Sequence, residues 1–397
     1  MSGRPFTKTI RRRDFIRVAA GTAAAAATSS VLGREAAGAL GPGQIRTIAG
    51  LASLSAWPLT GIPGPALRAG LGSSITLAAR TPGSLLVGTT QSSARPGQEM
   101  SLIAQWTDAA GSLLPVGGTG TRGFVSERIC IVTATGHALD FHFVGVAAIA
   151  IEPGGALLVA SVRRPCNGAL LRIRPTGTVE LIAGGGPAPA SVGTRALGAQ
   201  LSDPSALAVD SQGSIYIAEL VGGRVRKLSP SGALTTVAGG SGRDQVRDGP
   251  NPTKGSLLAP AGLALDKGGG LYISEARGAR VRRLNQSGTI ETIAGTGRAG
   301  WAGDGGPALR AQLDGPRGLV VGANGVVYVA DHANHRIRAV TPDGVITTIA
   351  GTGQVGYGGD GSAAKAAALN GPTAVALAGG SLYVADEGNR VVREIGL

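Results

Sequence analysis

A proline recurs every 56 residues along this chain, at Asp203-Pro204, Ala259-Pro260, Gly315-Pro316 and Gly371-Pro372. A fixed period of that length constrains the fold more than any local pattern, because it requires one supersecondary unit copied along the chain. The cleanest copy begins at Leu313. It runs through Gly318-Leu319-Val320-Val321, Val326-Val327-Tyr328-Val329-Ala330-Asp331 and Asn334-His335-Arg336-Ile337-Arg338, and ends on Val345-Ile346-Thr347-Thr348-Ile349-Ala350-Gly351. These are four short runs rich in β-branched residues, separated by turn signals such as Ala323-Asn324-Gly325 and Pro342-Asp343-Gly344. Four antiparallel strands per unit, repeated around an axis, make a propeller blade. The 67 glycines among 397 residues suit short strands and tight turns rather than helices.

Counting units predicts how the ring closes. They begin near Leu71, Val144, Leu201, Leu257, Leu313 and Leu369. The last stops at Glu394-Ile395-Gly396-Leu397, one strand short. The missing strand lies at the other end of the repeat region, where Gln44-Ile45-Arg46-Thr47-Ile48-Ala49-Gly50 matches Val345 to Gly351. The expected fold is therefore an all-β, six-bladed β-propeller over residues 40–397, with the N-terminal strand completing the last blade. Such pairing removes open sheet edges.

The repeat resembles the NHL family. Asp331 and Asn334-His335-Arg336-Ile337 carry the resemblance, with sister copies at Tyr216-Ile217-Ala218-Glu219 with Arg224-Val225-Arg226-Lys227, Tyr272-Ile273-Ser274-Glu275 with Arg280-Val281-Arg282, and Tyr383-Val384-Ala385-Asp386 with Asn389-Arg390-Val391-Val392. The match is strong from residue 201, weaker over 144–186 and weakest over 71–120, where Leu85-Leu86-Val87-Gly88 replaces the tyrosine and acid. Each acid ending a second strand is expected to pair with an arginine of the next. Asp248, Asp304 and Asp360, in glycine-rich loops between blades, are expected to cap turns.

Residues 1–39 stand apart from the repeats. Arg12-Arg13 followed by Phe15 and an alanine-rich stretch to Ala27 resembles a Tat-type twin-arginine export signal, with small residues at Ala37-Gly38-Ala39 for cleavage. The resemblance implies passage through the Tat translocase and a periplasmic, envelope-associated or secreted protein. The full chain carries a net charge of +13; without residues 1–39 it has 30 basic and 22 acidic residues, or +8. That is too modest to argue for nucleic acid. No stretch after residue 40 is long and apolar enough for a transmembrane helix.

Function is expected where the copies differ. The first blade carries an insertion near Ser92 to Met100. The linker Thr121 to Phe143 is long and holds Cys130, His137 and His142, and the second blade has an enlarged loop at Arg163-Arg164-Pro165-Cys166-Asn167. Loops on a rigid scaffold commonly carry function. Arg163, Arg164, His137 and His142 are candidate binding residues, and Cys130 with Cys166 is a candidate disulfide under oxidising conditions. Arg317 is a fifth candidate. The residues after the blade prolines are Ser205, Ala261, Arg317 and Thr373, and the family resemblance places these at the central axis, with Arg317 as their only charge.

No metal site is nominated, because His137 and His142 around Asp140 lack a third ligand. The propeller lyases that hold zinc do so with histidines from separate blades, whereas the four histidines here cluster at 137, 142, 332 and 335. Nor do Ser205, Ala261, Arg317 and Thr373 supply the carboxylate set of calcium-dependent propeller lactonases. No cofactor motif is present. The expected function is a binding or scaffold module for an extracytoplasmic protein, peptide or glycan. The alternative is a hydrolase or lyase with a divergent metal site in the central channel. The discriminating observation is bound metal.

Overall fold

The computed structural model describes residues 40–49, 64–65, 71, 74–81, 84–91, 100–107, 112–117, 135–137, 145–162, 168–188, 194–240 and 244–397. Their regular structure is β-strand apart from short 3-10 turns. Each blade is an antiparallel sheet whose first strand lies innermost. Blade 1 holds Ser74–Thr81, Ser84–Gln91, Met100–Thr107 and Ser112–Gly117; blade 2 holds Val146–Ile151, Leu157–Ser161, Ala169–Ile173 and Thr178–Ala188. Blade 3 holds Pro204–Val209, Ile215–Glu219, Arg224–Leu228 and Ala233–Gly239; blade 4 holds Pro260–Leu265, Leu271–Glu275, Arg280–Leu284 and Ile290–Ala294. Blade 5 holds Pro316–Val321, Val327–Asp331, Arg336–Val340 and Ile346–Ala350. Blade 6 takes Pro372–Ala378, Ser381–Asp386 and Val391–Gly396 from the C-terminal end and Ile45–Ala49 from the N-terminal end. The closing pair is antiparallel, with Ile45 opposite Ile395 and Thr47 opposite Arg393.

Hydrophobicity explains the ring. The second strands Leu157–Ser161, Leu271–Glu275 and Val327–Asp331 are buried along their whole length. Both faces are covered because each blade packs between two neighbours, so these strands are apolar throughout rather than alternating. Six buried clusters result, each shared by adjacent blades. Ile48, Tyr383 and Val392 of blade 6 meet Leu77, Leu85 and Val87 of blade 1 in the cluster that closes the circle. Burying one such Leu, Val or Ile contributes about 1.5–3 kcal/mol.

The acids ending the second strands do pair with arginines of the next strand, and the pairs are buried. Asp331 lies 3.2 Å from Arg338, Glu275 3.2 Å from Arg282 and Asp386 3.6 Å from Arg393. The inter-blade aspartates go beyond turn capping. Asp304 bonds Arg338 at 2.7 Å, Asp248 bonds Arg282 at 2.6 Å and Asp360 bonds Arg393 at 2.7 Å. Each loop is thereby tied to the third strand of the following blade by a guanidinium between two carboxylates. The spacing of 34 residues between Asp304 and Arg338 hid this partnership from local turn rules.

Blade 2 carries two additional strands. Leu197–Ala199 runs parallel to its fourth strand, and Thr135–His137 pairs antiparallel with Thr178–Glu180. The backbone of His137 thus belongs to an added outer strand. Cys130, His142, Arg163, Arg164 and Cys166 lie outside the described residues, as does the twin-arginine segment with Arg12, Arg13 and Phe15. No helix among the described residues is long and apolar enough to cross a membrane.

Candidate functional site at the propeller axis

The innermost strands follow one another around the axis from blade 1 to blade 6 and back. They enclose a cavity of about 520 Å³ lined from all six blades. The residue preceding each of five inner strands is left-handed: Gly145, Asp203, Ala259, Gly315 and Gly371 have φ between 55° and 63°. The ladder then breaks. Pro204 faces Glu219 and Ala206 faces Ala218, so Ser205 is an extra residue. The same bulge displaces Ala147, Ala261 and Thr373, and in blade 5 both Arg317 and Gly318. A bulge takes a residue out of the ladder and re-aims its side chain. Ala147, Ser205, Ala261, Arg317 and Thr373 accordingly line the cavity.

Neighbouring blades are held tightly at this level. Ser205 Oγ donates to Pro260 O at 2.7 Å, and Ser274 Oγ donates to Arg317 O at 2.5 Å. A Cβ on Gly318 would stand 2.7 Å from the Ala374 backbone, so only glycine lets blades 5 and 6 approach here.

A second set of positions, on the turn after each second strand, completes the wall. Val162, Leu220 and Ala276 occupy it in blades 2, 3 and 4, and Glu387 in blade 6. His332 holds the corresponding place in blade 5. The cavity is therefore two-sided. Blades 2 to 4 present mostly apolar side chains, while blades 5 and 6 present Arg317, Thr373 and Glu387. Asp203 and the exposed Arg277 also line it, so Arg317 is not the only charge at the axis.

The electrostatics single out this side. Among the described residues the Arg317 guanidinium makes no salt bridge or hydrogen bond. Glu387 is half-buried, and the Ile75 N–H donates to its Oε2 at 3.4 Å. Burial pushes its carboxyl above the ordinary range, opposed by the Thr373 hydroxyl, the Arg317 charge and the Ile75 N–H. His332 is pushed down by burial and by the Arg317 charge, and its Nδ1 lies 3.2 Å from Pro372 O. Both influences favour the uncharged imidazole. His335 plays a structural part: its backbone is left-handed at φ 52°, and its Nδ1 accepts the Gly371 N–H at 2.9 Å. Among the described residues no three His, Cys, Asp or Glu side chains come together to hold a metal.

Of the sequence-derived binding candidates, the structure puts Arg317 on the cavity wall. It does not bring the His137 backbone there, since His137 sits on the outer edge of blade 2. Glu387, Asp203 and Arg277 were not singled out from the sequence. The signal for Glu387 was present in the repeat register, as an acid where sister copies carry valine, leucine, alanine or histidine.

Fold and cavity together define a six-bladed β-propeller, part of which is similar to the NHL type. The family profile described as the teneurin NHL domain matches residues 297–356. Mouse teneurin-3 is 32% identical over 168 residues, which make up 39% of this chain and 6% of teneurin-3. Protein SUPPRESSOR OF QUENCHING 1, chloroplastic, of Arabidopsis thaliana is 29% identical over 195 residues, 46% of this chain and 18% of that protein. The chain thus spans only a small part of the length of these relatives. Among solved structures, a structural genomics protein from Bacteroides thetaiotaomicron has a TM-score of 0.61 at 14% identity, covering 88% of this chain and 74% of that one. An auxiliary nutrient binding protein from Bacteroides ovatus has a TM-score of 0.59 at 17% identity, covering 89% and 76%. These structures share the propeller fold.

Proposed function

We propose that this chain is an exported binding module that takes its ligand in the axial cavity. The observation that carries the reading is Arg317. A bulge turns it toward the axis, and among the described residues its guanidinium has no acceptor, at a position where sister blades carry alanine, serine or threonine. A cation left without a partner among the described residues of a cavity wall is poised for an acceptor supplied by a ligand. A cavity of this size admits a small molecule or the end of a peptide or glycan.

Thermal-shift screening of the purified chain against small metabolites, peptides and oligosaccharides tests the binding half. Arg317→Ala is expected to abolish the stabilisation that a true ligand gives the wild type, while leaving the unliganded melting temperature close to unchanged. Equal stabilisation of both proteins by every compound that binds would remove the cavity from consideration.

Export is the second half, motivated by Arg12-Arg13, Phe15 and the alanine-rich stretch. Replacing both arginines by lysine is expected to leave a reporter fused to residues 1–39 in the cytoplasm. Unaltered export of that variant would overturn the Tat assignment.

A further inference from the structure

Resting on the axial-cavity reading, we infer that the ligand is a small zwitterion with an apolar side chain, of the amino acid or dipeptide type. The wall is electrically balanced: Arg317, Arg277, Glu387 and Asp203 all line the same cavity. Arg317 lies close enough to Glu387 to draw its carboxyl pKa down, yet the two form no salt bridge. The polar side therefore offers a positive and a negative group that are not paired with each other. A lone anion would meet Glu387 as well as Arg317. A lone cation would meet both arginines. A ligand carrying both charges satisfies each: its carboxylate takes the Arg317 fork, and its ammonium donates to Glu387.

The rest of the cavity fits the remainder of such a molecule. Around the rest of the wall stand Val162, Leu220, Ala147 and Ala276, at the positions that Arg317 and Glu387 hold in blades 5 and 6. This wall removes an aliphatic side chain from water. The repeat supports the assignment. Arg317 and Glu387 replace neutral residues at two separate positions of the unit, in adjacent blades, and both end on one cavity. The family fold itself needs neither, since blades 2, 3 and 4 are built without them.

The test is calorimetric titration of the full chain with L-leucine, leucyl-leucine, N-acetyl-leucine and leucinamide. Leucine or leucyl-leucine is expected to bind, with N-acetyl-leucine and leucinamide at least about tenfold weaker, because each leaves one wall charge unanswered. Glu387→Gln should erase the preference for leucine over N-acetyl-leucine. Arg317→Gln should erase the preference for leucine over leucinamide. A merely structural role for either residue would lower all affinities together instead. Arg310→Gln, an exposed change outside the cavity, serves as the control for folding and should alter none of these values.

Equal binding of N-acetyl-leucine and the zwitterions overturns the inference, as does binding by none of the four to a cooperatively melting protein. If another class of compound then stabilises the wild type through Arg317, the axial-cavity reading stands and the zwitterion alone is wrong. If Arg317→Ala changes no ligand response, the cavity reading falls with it.

Discussion

Arg338 is fully buried, and its guanidinium lies between Asp331, equally buried, and Asp304, 48% exposed. Asp331 also accepts the Asp314 N–H and the Asn334 amide, both at 2.8 Å. Burial nevertheless dominates and pushes its carboxyl from 3.8 up to about 6. Asp386 in the next blade is pushed to about 6 in the same way. A folded-state pKa above the unfolded value means that the native protein holds the proton more tightly. The stability this contributes is complete below pH 3.8 and is lost as pH rises through 6. Arg338→Met should therefore cost most in alkaline buffer, about 3 kcal/mol at pH 8, because an ionised Asp331 is left buried without its cation. At pH 5 the deficit should shrink, since the neutral acid needs no counter-charge. Urea unfolding of the variant and wild type at the two pH values measures this, and a pH-independent deficit would contradict it. Blade 3 shows what the third partner adds. There Glu219 Oε2 accepts the Arg224 Nε–H at 2.6 Å, and Arg226 stands 3.8 Å from the other oxygen.

Strand Ile45–Ala49 owes its place to pattern rather than proximity. Ile45 joins the core between blades 5 and 6, and Ile48 the core between blades 6 and 1. Arg46 adds an ion pair to Glu394 at 2.6 Å. Deleting residues 41–49 exposes both clusters and the edge of Val391–Gly396 at once. We expect the melting temperature to drop by roughly 10 °C or more, because the loss of several buried aliphatic side chains exceeds a few kcal/mol. A truncated chain with wild-type melting would show that the strand is dispensable. This strand was legible in the sequence because Ile45 to Gly50 copies Ile346 to Gly351 residue for residue in character. The bulges were not. Nothing local announces that Ser205 or Arg317 leaves the ladder; only the register Pro204 to Glu219 followed by Ala206 to Ala218 reveals it. The loop aspartates were misread for a related reason, since an acid beside glycine looks like a turn former until its distant arginine is in place.

At the scale of the molecule, six copies in a ring forced six shared cores, and that architecture followed from the period alone. The site did not, because it depends on which copies deviate and on where the ring brings those deviations together. Arg317 and Glu387 belong to different blades and are 70 positions apart, yet one cavity holds both. The charged side of the cavity lies on two of the most regular blades, where a repeat-based reading would look last. The junction of Ile45–Ala49 with Val391–Gly396 also has a temporal meaning. On the ribosome the first of these strands emerges early and must wait, unpaired, until nearly all the remaining chain has been synthesised. Closure is the longest-range strand pairing among the described residues, so it is slow relative to folding within a blade. A circular permutant carrying residues 41–49 after Leu397 would turn this junction into a local hairpin, and would fold faster without altering a single contact of the finished ring.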